Sequence, residues 1–67
     1  MYKTIEIDLG NAPTPNWRYV TGFNSYEKSL YCSIYPNSGV SVDLDRKIEI
    51  CKKWHPTLNF RISEVRE

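Results

Sequence analysis

Along the last third of the chain the spacing of apolar residues changes period. Leu44, Ile48, Cys51 and His55 recur at helical spacing, whereas Leu58, Phe60 and Ile62 alternate with Asn59, Arg61 and Ser63. A 3.6-residue period places side chains on one helix face, and a two-residue period places them on one strand face. Pro56 disfavours helical geometry at His55, so the helix is expected to stop near Trp54 and a strand to cover residues 58–65. Ser41 or Asp43 is the expected N-cap, accepting a hydrogen bond from an otherwise unpaired backbone N–H.

Three further strands precede the helix. In residues 2–9, Ile5, Ile7 and Leu9 point one way and Thr4, Glu6 and Asp8 the other. Gly10 and Asn11 end this strand, and Ala12-Pro13-Thr14-Pro15-Asn16 reads as a stiff extended linker. Residues 17–23 are rich in aromatic and β-branched side chains, and the polar run after them suits a hairpin connection. In residues 29–35, Leu30, Cys32 and Ile34 share one face, with Tyr31, Ser33 and Tyr35 on the other. Pro36-Asn37-Ser38-Gly39 then breaks the strand.

The expected architecture is a single small α+β domain over residues 1–67, in the order β-β-β-α-β. Its three- to four-stranded, mostly antiparallel sheet would carry one helix packed on one face. Ile5, Ile7, Leu30, Cys32, Ile34, Leu58, Phe60 and Ile62 would meet Leu44, Ile48 and Cys51 in the core.

Composition narrows the function classes. Sixty-seven residues lie near the lower limit at which one core holds without staples. Nine basic and eight acidic side chains leave a formal charge of +1, which argues against a DNA mimic and against affinity resting on phosphate neutralisation. No apolar run is long enough to span a bilayer, so no membrane is expected and a cytoplasmic location is. Two cysteines, Cys32 and Cys51, are too few and too widely spaced for a disulfide framework or a zinc site, and read as free thiols.

No catalytic, cofactor or metal motif emerges. His55 has no nucleophile beside it in sequence and reads as a helix C-terminal cap or cation; Asp43 and Asp45, two apart, do not share a helix face. The chain is therefore expected to bind rather than to catalyse. One candidate surface is the sheet face away from the helix, carrying Tyr31, Tyr35 and Tyr19, which suits a protein partner or stacked bases. Another is the charged trio Arg61, Glu64 and Arg66 on the closing strand, since charge pattern selects partners. Trp54 and Ile50, beside the core stripe of the helix, would cover the sheet edge or anchor a partner.

The stretch Leu44-Asp45, Ile48-Glu49-Ile50, Trp54, Pro56, Phe60-Arg61-Ile62 and Val65-Arg66, with Trp17 and Val20 on an early strand, resembles the small host RNA polymerase inhibitor of T7-like bacteriophages. Similar helix–strand endings occur in phage anti-CRISPR proteins. The resemblance implies a phage-encoded, non-enzymatic inhibitor that occludes a larger bacterial complex in the host cytoplasm, either RNA polymerase or a CRISPR effector. It also implies that arginines on the closing strand contact the target. Arg66 falls on one such position, and Glu64 stands at the other with reversed charge. The alternative expectation is a single-stranded nucleic-acid-binding module using the tyrosine face. The chain itself is expected to be a monomer or a weak homodimer, because open strand edges invite pairing.

Overall fold

The computed structural model describes residues 1–10 and 14–66. The chain forms β1 (Tyr2–Asp8), β2 (Trp17–Asn24), β3 (Ser29–Ser33), a 3-10 turn (Ser38–Ser41), α1 (Leu44–Trp54) and β4 (Phe60–Val65). The four strands make one antiparallel sheet in the order β3-β2-β1-β4, so β1 is flanked on both sides and β3 and β4 are edges. This is the expected α+β domain, with the expected β2–β3 hairpin. Asn11, expected to end the first strand, and Ala12 and Pro13 of the expected extended linker lie outside the described residues.

Register fixes which side chains share a face. Ile5 pairs with Ile62 and Ile7 with Phe60, while Glu6 pairs with both Tyr19 and Arg61. Directly paired residues point to the same side, so the odd-numbered positions of β1 face α1 and the even-numbered positions face away. On β2 the pairing runs Val20 with Cys32 and then Gly22 with Tyr31. Thr21 is the extra residue of a β-bulge. The bulge shifts the alternation, so Phe23, paired with Leu30, returns to the helix side alongside Val20. The Thr21 hydroxyl donates to the Tyr31 carbonyl at 3.2 Å, and the Asn37 side chain donates to the Thr21 carbonyl.

The core is Ile5, Ile7, Val20, Val40 and Cys51, with Phe23, Leu30, Leu44, Ile48 and Phe60 packed around it. Val20, Phe23 and Val40 are additions to the expected set, whereas Cys32, Ile34, Leu58 and Ile62 lie at the surface. One reason is width. A helix is about 10–12 Å across, but four strands about 4.8 Å apart make a broader surface. Cys32 and Ile62 on the edge strands therefore escape cover even with the right parity, whereas Ile34 and Leu58 lie outside β3 and β4, which are shorter than the expected 29–35 and 58–65. Trp54 extends the cover on one side by packing edge-on against Phe23, at 6.1 Å between ring centroids.

Local chemistry explains the ends of the elements. The Asn24 carboxamide accepts the N–H groups of Tyr26 and Glu27, and Lys28 closes the four-residue hairpin loop with φ 53°. At the start of α1, Asp43 adopts a left-handed conformation (φ 52°) and its side chain makes no cap, contrary to the sequence expectation. Ser41 does not cap it either, because its hydroxyl donates to the Ser38 carbonyl inside the 3-10 turn. The turn takes the place of a loop after β3: Asn37 caps it through Gly39 N–H, and Val40 fills the core. The helix ends as expected at Trp54, with the His55 N–H donating to the Cys51 carbonyl.

Candidate protein-binding surface

The side of the sheet away from α1 is built from alternate positions of all four strands. β1 contributes Thr4, Glu6 and Asp8, β2 contributes Trp17 and Tyr19, β3 contributes Tyr31 and Ser33, and β4 contributes Arg61 and Ser63. At its centre the Glu6 carboxylate accepts two hydrogen bonds from Arg61, at 3.1 Å to Nε and 3.5 Å to Nη2. The Arg61 guanidinium also lies over the Trp17 ring, 3.9 Å from its centroid. A planar cation suits both contacts at once, since its edge matches a carboxylate and its face stacks on an indole.

Burial within this cluster is uneven. The Glu6 side chain is only 12% exposed and that of Arg61 is 50% exposed. The carboxylate is thus the inner partner, and the arginine shields it while presenting its outer edge to solvent. Thr4, two residues along β1, is fully buried, and its hydroxyl has no hydrogen-bond partner among the described residues. Asp8 is committed in a different way. One carboxylate oxygen accepts the N–H groups of Gly10 and Asn16, holding the two ends of the β1–β2 connection together. These backbone hydrogen bonds, Asn16 first, hold the Asp8 carboxyl below the usual carboxylate range, and the nearby Arg61 charge adds to the effect.

The sequence-chosen residues fall into separate groups. Tyr19 and Tyr31 share the face opposite α1, with Tyr31 57% exposed. Tyr35 lies beyond the end of β3 and is 72% exposed. The closing-strand trio does not make one patch. Arg61 and Glu64 have opposite parity on β4 and so point to opposite sides of the sheet. Arg66 lies beyond the strand and pairs with Glu64 at 3.9 Å, an exposed contact of little energetic weight.

Trp17 and Glu6 are the members that sequence reading missed as site residues. Their partner, Arg61, is fifty-five positions from Glu6. A β1–β4 register is needed to bring them together, and alternation within each strand does not supply it.

The remaining chemistry is quiet. Burial, reinforced by the nearby Cys32 thiol, pushes Cys51 up to about 11, so it stays protonated at neutral pH. Both cysteines are free, Cys32 exposed and Cys51 buried. Among the described residues there is no pocket, no cluster of His, Cys, Asp and Glu able to hold a metal ion, and no helix long and apolar enough to cross a membrane. No family model, curated protein sequence or solved structure matches the chain.

Proposed function

We propose that the chain is a non-enzymatic protein-binding inhibitor that docks through the face opposite α1 and occludes a larger bacterial complex. The observation that carries this reading is the pre-set Arg61, stacked on Trp17 and clamped by Glu6 beside Tyr19 and the exposed Tyr31. Rigid aromatic and arginine side chains are the types that dominate protein interfaces, because they bury much surface with little loss of rotamer freedom. The phage origin, the host cytoplasm as site of action, and RNA polymerase or a CRISPR effector as target come only from the resemblance carried by residues 44–66 with Trp17 and Val20.

The same face has a second reading, a platform for single-stranded nucleic acid. Its aromatic rings favour it, whereas Asp8, kept ionised by its two backbone hydrogen bonds, opposes phosphate on that face. Charge balance favours protein. Arg61 is neutralised by Glu6, leaving the centre of the face without the excess positive charge that phosphates require.

Direct titration against purified bacterial RNA polymerase and a CRISPR effector complex, read as binding and as loss of transcription or cleavage, tests the proposal. Wild-type protein should inhibit one of them, and Arg61→Glu combined with Tyr19→Ser should not. Failure to bind either complex, with oligonucleotide binding that weakens as salt rises, would transfer the face to nucleic acid.

A further inference from the structure

The two edges of the sheet differ in the property that governs strand pairing. From residue 29 to residue 42 the chain has no Asp, Glu, Lys or Arg, and this stretch contains all of β3. Its exposed side chains include Tyr31, Cys32, Ile34 (61% exposed) and Tyr35. Sheet edges normally carry charge, proline or a covering element to prevent association. Pro36 comes only after the strand has ended, and the bulge at Thr21 lies on the inner strand β2. No other strand lies beyond β3 among the described residues.

We infer that β3 is a homodimer edge, pairing antiparallel with β3 of a second copy to give one continuous eight-stranded sheet. A two-fold axis perpendicular to the sheet keeps both helices on the same side, so only residues of equal parity come opposite each other. Centring the pairing on Cys32 places Tyr31, Cys32 and Ser33 of β3 in the ladder and brings Leu30 level with Ile34, which lies just past the end of the strand. It sets Cys32 against Cys32 and Tyr31 against Ser33. Apolar side chains on the helix side are then covered by their own kind, and no like charges meet.

The occupant is a second copy because this edge is compatible with itself and the opposite edge is not. Any two-fold pairing of β4 centred on residues 61–64 sets Arg61 against Arg61 or Glu64 against Glu64, directly or diagonally, which is destabilising. A formal charge of +1 adds little repulsion between copies. The dimer also leaves the Trp17–Arg61 cluster uncovered and repeats it on one side of the joined sheet. This inference stands independently of the proposed function.

Sedimentation equilibrium over micromolar to millimolar protein, with cysteine cross-linking, tests it. Wild type should move towards twice the chain mass as concentration rises. Ile34→Lys, at a position outside any strand, and Tyr31→Lys should each weaken dimerisation at least tenfold, whereas Ser63→Lys on the other edge should leave it unchanged. A short bis-maleimide should link dimers of the wild type through Cys32, and Cys32→Ser should abolish the product. A monomer at every concentration overturns the inference. So does loss of the dimer with Ser63→Lys but not Ile34→Lys, or a dimer in which Cys32 fails to cross-link.

Discussion

The two sides of β1 are both buried, but by different means. Towards α1, Ile5 and Ile7 pack with Val20, Val40 and Cys51, and the helix excludes water. On the other side Thr4 and Glu6 are as well hidden with no helix above them, and Arg61 and Trp17 from the flanking strands supply the cover around Glu6. One side is thus held by apolar contact and the other by a carboxylate, a guanidinium and an indole. A small α+β protein with one helix has this problem in general: the central strand is enclosed on both sides before the chain has enough apolar residues to line both. Here the second lining is polar, and it is the lining that a partner can still address.

Substitutions separate the two sides by magnitude and sign. The largest effect is expected from Ile5→Ala, which opens a cavity under α1 and should cost about 2–5 kcal/mol in denaturant unfolding. For a chain of this size that would leave little folded protein. Arg61→Ala should cost about 1–2 kcal/mol, because it strips the hydrogen bonds from a mostly buried carboxylate, a loss tempered by the solvent exposure of Arg61. Arg61→Ala combined with Glu6→Gln should recover part of that loss, since the stranded charge is then gone. A recovery of zero would mean that the pair contributes shape, not charge.

Thr4→Val reverses the sign. It replaces a buried hydroxyl lacking a partner with a methyl group of similar shape and should raise stability by about 1 kcal/mol. A loss of stability would show that the hydroxyl is satisfied in solution and that the polar side is better built than the geometry indicates.

The smallest effect concerns Asp8 at the end of β1. Its folded-state pKa lies below the ordinary 3.8, so its contribution is present above that value and is lost as pH falls through the folded value. The difference in Tm between wild type and Asp8→Ala should accordingly be modest at pH 7 and should close below about pH 3.8. A difference independent of pH would assign the role of Asp8 to its shape instead of its charge.

The sequence carried the element order because each element has its own period and its own stop. Alternation at Ile5 and Ile7, the helical spacing of Leu44, Ile48 and Cys51, and the breaks at Pro36 and Pro56 are local signals, and local backbone chemistry enforces them. The side away from the helix was legible as far as Tyr19 and Tyr31, since parity within one strand is enough to place them. Three matters were decided only in three dimensions. The bulge at Thr21 sent Phe23 to the core, the width of the sheet left Ile62 and Cys32 uncovered, and the β1–β4 register joined Arg61 to Glu6. Each depends on how one strand lies against another, which alternation within a strand leaves open by any even number of residues.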